Sequence, residues 1–102
     1  MGSYPRFRRE VEARGLFLRQ LSTDELLSRV HTPTETLRFG WSTGRISLII
    51  EEREPGLVRV IVQGFLRFPA WSPAARVALD GFYRFADGTV RDVPDDELGD
   101  FS

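Results

Sequence analysis

The spacing of apolar residues changes from helical to alternating at Pro33, and this change constrains the fold more than any other feature. Before it, Phe7 and Val11 lie four residues apart, as on one face of a helix. After it, apolar and polar residues alternate, as they do in strands with one buried face; the segments are ETLRFGW, RISLIIEERE and LVRVIVQGFLRF. The sequence therefore predicts helices followed by a sheet.

The segment YPRFRREVEARG predicts the first helix. Pro5 suits a first helical turn, where its missing N–H is not needed. Gly15 is expected to end this helix, because glycine is common just past a helix C-terminus. Residues 16–20 fit either a helix or a short extended link.

A second helix is expected to begin after Ser22. Ser22 and Glu25 form an S-x-x-E capping box, in which each side chain accepts a hydrogen bond from the other residue's backbone N–H. Leu21 and Leu26 flank the box as a hydrophobic staple. The helix should continue to about Val30 and end before Pro33.

The best predicted strand is LVRVIVQGFLRF. One set of alternating positions is apolar except at Gly64 and comprises Val58, Val60, Val62, Leu66 and Phe68. Gly64 interrupts this set and indicates a bulge or a close approach of another backbone.

The next predicted strand, RVALDGFYRF, leads into a hairpin at Asp87-Gly88. Its apolar side is expected to carry Val77, Leu79, Tyr83 and Phe85. A two-residue turn at Asp87-Gly88 would pair Phe85 with Val90 and set Arg84 opposite Arg91. Because like charges opposite each other are unfavourable, a longer loop remains an alternative. The segment PDDELGDF is expected to form a last helical turn.

These elements predict an α+β domain in which two N-terminal helices pack on a four- to five-stranded antiparallel meander sheet. No crossover connection is long enough for parallel pairing. With 102 residues the chain suffices for one domain. We expect that domain to span residues 4–102 and Met1, Gly2 and Ser3 to be a cloning remnant.

Composition excludes several chemistries. The chain has no cysteine, so disulfides, thiolate catalysis and iron–sulfur clusters are excluded, and a cytoplasmic location is expected. No apolar run approaches the roughly 18 residues of a membrane-spanning helix. All fourteen basic residues are arginine, a bias spread over the whole chain that is typical of a GC-rich genome.

No catalytic, metal-binding or cofactor-binding residue is assigned, and no cofactor is expected. The only histidine, His31, follows the capped helix, where an imidazolium complements the helix dipole. Glu52 continues an apolar strand face, and either Glu52 or His31 would serve a small enzyme, the least favoured function. The DG turn fails the EF-hand pattern, which needs acids where Tyr83 and Phe85 stand.

The strongest charge feature is the acidic C-terminus, because residues 87–102 carry six acids against one arginine, a charge of −5. Trp41, in phase with Leu37 and Phe39, is expected to pack over the core rim. Trp71 lies in a loop between two prolines and is either packed or an exposed anchor. The candidate partner-binding residues are Trp71, Tyr83, Asp92, Asp95, Asp96, Glu97 and Asp100.

The preferred function is therefore a non-catalytic protein-interaction module of a small cytoplasmic bacterial protein. It would dock through the aromatic loop and the acidic tail, on a protein partner that the tail predicts to be basic. A role of the immunity or antitoxin type fits such a domain. The alternative is a homo-oligomeric or assembly-subunit domain, pairing through a second apolar face at Leu57, Ile61 and Phe65. The net charge of −1 makes nucleic acid an unfavoured partner, and no membrane partner is expected.

The second half of the chain resembles the end of small uncharacterised bacterial domains. The resemblance rests on three stretches: Asp80-Gly81-Phe82, then Asp87-Gly88-Thr89-Val90, then Asp96-Glu97-Leu98. It covers about half of the chain and implies a self-contained bacterial domain. It implies no activity and no catalytic residue.

Overall fold

The sheet is a five-stranded antiparallel meander, in which each strand pairs with the next one along the chain. The computed structural model describes residues 2–102, so Met1, part of the expected cloning remnant, lies outside the described residues. The predicted antiparallel α+β architecture is confirmed. The strands are β1 (Glu35–Phe39), β2 (Ser42–Glu54), β3 (Leu57–Arg67), β4 (Arg76–Arg84) and β5 (Val90–Asp92).

One long helix covers the sheet, whereas the sequence predicts that two helices pack on it. Helix α1 (Ser3–Leu18) has sixteen residues, whereas α2 (Thr23–Leu27) has five. A short α3 (Asp95–Leu98) and a 3-10 turn (Gly99–Phe101) form the predicted C-terminal helical turn. In the part of the chain that the structure describes, no helix is both long and apolar enough to cross a membrane.

The predicted end of α1 at Gly15 is wrong, because the helix continues through Gly15 to Leu18. The glycine is needed for packing. A Cβ atom at Gly15 would lie 1.7 Å from the Oδ2 atom of Asp80, whose carboxylate sits against the helix. Because α1 extends to Leu18, residues 16–18 are helical and not an extended link.

The capping box of α2 is confirmed. The backbone N–H of Glu25 donates to the Ser22 hydroxyl, and the N–H of Ser22 donates to the Glu25 carboxylate. The helix ends at Leu27 and does not reach Val30. Its one fully buried side chain is Leu26, so the helix adds a small contact to the core.

The main core lies between α1 and one face of the sheet. Phe7 and Val11 are fully buried against it, and they rest directly on Gly44 and Gly64. A Cβ atom at Gly64 would lie 2.8 Å from both side chains. Gly64 stays in regular register with both neighbouring strands, so it marks a close approach and not a bulge.

Strand β4 presents the opposite face to the core from the one expected. Phe82 is fully buried beneath α1, and the predicted apolar side, with Tyr83 and Leu79, faces away from α1. That second face of the sheet is partly covered by the C-terminal segment. Leu98 meets the buried Ile61 above Gly81.

The β4–β5 connection is the longer loop. Arg84 pairs with Val90 and Tyr83 with Arg91, so the two-residue turn that would have paired Phe85 with Val90 does not form. Gly88 has φ +90° inside this loop, a conformation that favours glycine. The longer loop avoids setting Arg84 opposite Arg91.

Candidate interaction surface

Three large aromatic side chains meet solvent at one end of the sheet. Thr43 at the start of β2 pairs with Arg67 at the end of β3. Trp41 lies two residues before Thr43, and Phe68 directly follows Arg67. The β1–β2 turn and the β3–β4 loop therefore share this end. We call Trp41, Phe68 and Trp71 the aromatic end.

All three rings are strongly exposed: Trp41 by 80%, Phe68 by 69% and Trp71 by 83%. The prediction that Trp41 packs over the core rim is wrong. The strand ends at Phe39, and the chain turns at Gly40, with φ +64°, before it reaches the tryptophan. For Phe68 the strand pattern also predicted the core face, but the residue lies just beyond β3.

The loop that carries Trp71 is held in place by Arg67. The Arg67 guanidinium donates to the carbonyl oxygens of Ser72 at 3.0 Å and Pro73 at 2.6 Å. Inside the loop, the N–H of Ser72 donates to the Pro69 carbonyl. Exposure of Trp71 thus coexists with a hydrogen-bonded backbone, which lowers the entropy cost of using the ring as an anchor.

Charge is distributed very unevenly along the molecule. Residues 2–9, 36–50 and 60–79 each reach the aromatic end, because Ser3 bonds to Phe39 and Phe7 rests on Gly44. These ranges hold seven arginines and no acidic residue, a formal charge of +7. The rest of the chain holds seven arginines and all fifteen acids, a formal charge of −8.

Three arginines of this set surround Thr43 on the sheet face that points away from α1. Arg38 and Arg67 belong to the strands on either side, because both pair with Thr43 in the register of the sheet, and Arg45 is the next residue on that face. Within residues 2–102, neither Arg38 nor Arg45 forms an ion pair. A groove of about 370 Å³ beside them is lined by Thr43, Arg45, Phe65, Arg67 and Ala70.

At the other end of the sheet, Arg59 is neutralised by two carboxylates. Arg59 donates to Glu51 at 2.8 Å and to Glu97 at 2.9 Å, and its guanidinium lies 5.1 Å from the centre of the Phe101 ring. The Tyr83 hydroxyl also donates to Glu97. These contacts tie the C-terminal segment to the sheet.

The same contacts shift the titration of two groups. The hydrogen bond from Tyr83 and the contact with Arg59 hold the pKa of Glu97 below its usual value. The hydrogen bond to Glu97 raises the pKa of Tyr83 above its usual 10.0, because losing the proton would place two negative charges together.

Asp92 is also engaged with its own domain. Its carboxylate accepts from Arg19 at 2.9 Å, and the same guanidinium donates to Asp80 at 2.8 and 3.1 Å. Arg19 lies over the Phe82 ring. The contact joins the end of α1 to β4 and β5.

The predicted partner-binding residues thus fall into separate groups. Trp71 is at the aromatic end, whereas Tyr83, Asp92 and Glu97 make internal contacts. The Arg59–Tyr83 pair lies eight residues along β3 from Arg67, which corresponds to about 27 Å in a strand. The three remaining candidates, Asp95, Asp96 and Asp100, are exposed at the C-terminal end.

The two residues considered for catalysis lie in different segments of the chain. His31 is exposed in the segment after α2, and Glu52 is exposed near the β2–β3 turn. No cluster of three or more histidine or acidic side chains that could hold a metal ion occurs in residues 2–102.

Sequence reasoning missed Phe68, Arg38 and Arg45. A readable signal was present: two long stretches, 36–50 and 60–79, contain arginines and no acid. Only the meander pairing shows that these stretches lie side by side, and that their aromatic residues meet at one end.

Comparison of the chain with protein-family models, with curated proteins and with solved structures finds no match.

Proposed function

We propose that this protein is a non-catalytic interaction module that docks on a protein partner through the aromatic end. The observation that carries the proposal is the exposure of Trp41, Phe68 and Trp71 together at one end of the sheet. Exposing three large rings to water costs hydrophobic free energy that burial would recover. Large contiguous apolar patches are rare on the surfaces of monomeric proteins, and where they occur they mark interaction sites.

The surface has the composition of a binding anchor. Tryptophan and arginine are enriched among the residues that dominate binding energy, and here Arg67 holds the loop of Trp71 from beneath. Because the loop backbone is already held by hydrogen bonds, binding would lose little conformational entropy in ordering the Trp71 loop.

The acidic tail supports this proposal less than the aromatic end does. Glu97 and Asp92 are occupied by Arg59 and Arg19. A basic partner would find Asp95, Asp96 and Asp100 as the exposed acids of the segment 92–102 that are not paired with an arginine. We therefore place docking at the aromatic end and give the tail mainly a structural role.

Self-association through the second sheet face is the weaker candidate. That proposal needs Leu57, Ile61 and Phe65 to be accessible. Ile61 is fully buried, because Leu98 of the C-terminal segment lies beside it. A dimer formed there would first have to displace this segment.

The test is affinity capture from the native host with the wild-type chain and with the double variant Trp41→Ala/Trp71→Ala. We expect the double variant to keep its fold and to lose the proteins that the wild type retains. The matched control is Leu16→Ala, which trims a side chain that is 63% exposed on α1 and should keep every partner. A set of partners unchanged in the double variant would reject the aromatic end as the docking surface.

A further inference from the structure

The charge around the aromatic end indicates what kind of partner fits it. We infer that the aromatic end and the adjacent Arg38, Arg45 and Arg67 bind an acidic segment of a partner protein. This inference rests on the proposed function and adds the chemistry of the partner to it.

The first argument is that Arg38 and Arg45 form no ion pair within residues 2–102. The ranges that reach this end carry a formal charge of +7 with no acidic residue, although Arg8 bonds to Glu12 of the same helix at 3.0 Å. Elsewhere in the molecule, Arg14, Arg19 and Arg59 each contact two carboxylates. Because Arg38 and Arg45 lack such partners, their guanidinium groups are available to outside carboxylates.

The second argument is geometric. Arg38 and Arg67 lie on either side of Thr43, and Arg45 follows on the same face. The groove beside them has an apolar wall at Phe65. A carboxylate entering it can accept two parallel hydrogen bonds from a guanidinium, while an apolar neighbour in the same segment packs against Phe65.

The observations favour an acidic protein over a nucleic acid. Single-stranded nucleic acid needs a positive groove that follows several nucleotides of backbone. Here the positive surface is confined to one end of a molecule 43 Å long, and the remainder carries −8. A phosphate backbone that extended beyond the aromatic end would be repelled by that remainder.

The experiment measures fluorescence anisotropy with a short fluorescein-labelled peptide of aspartate, glutamate and leucine. The comparison probes are the same peptide with asparagine and glutamine in place of the acids, and an oligothymidylate of similar length. We expect the full chain to bind the acidic peptide in preference to both, and to bind it more weakly as salt is raised.

Two charge-matched double variants locate the site. Arg38→Gln/Arg45→Gln should raise the dissociation constant for the acidic peptide about tenfold, because two charge-assisted contacts are lost. Arg29→Gln/Arg91→Gln removes the same charge from exposed positions outside the aromatic end and should leave the dissociation constant nearly unchanged. Circular dichroism confirms that both variants are folded.

Several outcomes would overturn the inference: no binding of the acidic peptide, equal binding of the amide peptide, equal loss in both variants, or tighter binding of the oligothymidylate. Self-association that Arg38→Gln/Arg45→Gln abolishes would also overturn it, in favour of a second copy. If Trp41→Ala/Trp71→Ala loses its partners in the capture experiment while Arg38→Gln/Arg45→Gln keeps them, the proposed function stands and only the acidic partner is rejected.

Discussion

Arg59 on β3 donates a 2.9 Å hydrogen bond to Glu97 on α3, thirty-eight residues later in the chain. This ion pair fixes the acidic C-terminal segment on the sheet face opposite α1. The tail therefore belongs to the fold, and its most buried acidic residue is already neutralised within the domain.

The first prediction concerns the packing of this segment. Leu98→Ala should lower the free energy of unfolding by about 1–2 kcal/mol, less than truncation of a fully buried leucine costs, because Leu98 is half-buried against Ile61. Urea denaturation measures the change. The neighbouring exposed change Asp96→Asn should stay within about 0.5 kcal/mol. If Leu98→Ala changes the free energy of unfolding as little as Asp96→Asn does, the C-terminal segment is not packed on the sheet.

The second prediction concerns Tyr83. Because Glu97 raises its pKa above 10.0, the wild type should titrate this phenol above pH 10, and Glu97→Gln should bring the pKa down toward the ordinary value. Ultraviolet difference titration measures this pKa. Comparison with Tyr83→Phe separates the signal of Tyr83 from that of Tyr4.

The stability effect has a definite sign. A group whose folded pKa is raised contributes stability that is fully present below its unfolded pKa and is lost as pH rises through the folded pKa. The Tyr83–Glu97 contact should therefore stabilise the protein below pH 10 and cease to do so at higher pH. An unchanged phenol titration in Glu97→Gln would contradict the contact.

The third prediction concerns the close approach of α1 to the sheet. Gly64→Ala should destabilise the fold by about 1–3 kcal/mol, a typical cost of overpacking, because the new methyl would lie 2.8 Å from Phe7 and Val11. Gly99→Ala is the matched control, since a Cβ there meets nothing within 4 Å. If thermal unfolding places the two variants at the same midpoint, α1 does not lie on Gly64.

Local patterns predicted the elements and their pairing well. The capping box at Ser22, the alternation of Val58, Val60 and Val62, and the meander order all follow from short stretches of sequence. They are decided by neighbours in the chain, so spacing alone reveals them.

Features that depend on distant residues were not predictable in this way. Gly15 resembled a helix stop, but Asp80 approaches it from β4. Trp41 was in phase with its strand, yet the turn at Gly40 releases it from the core. The separation of Trp71 from Tyr83 requires the sheet register, because both lie within the same stretch of thirteen residues.

The most direct test of the central claim is site-specific photo-crosslinking in the native host. A benzoylphenylalanine placed at Trp71 samples the aromatic end, and one placed at Asp96, which is also exposed, samples the acidic tail. We predict a discrete protein adduct from position 71, lost when Trp41→Ala is added, and none from position 96. Adducts from position 96 with none from position 71 would contradict docking through the aromatic end.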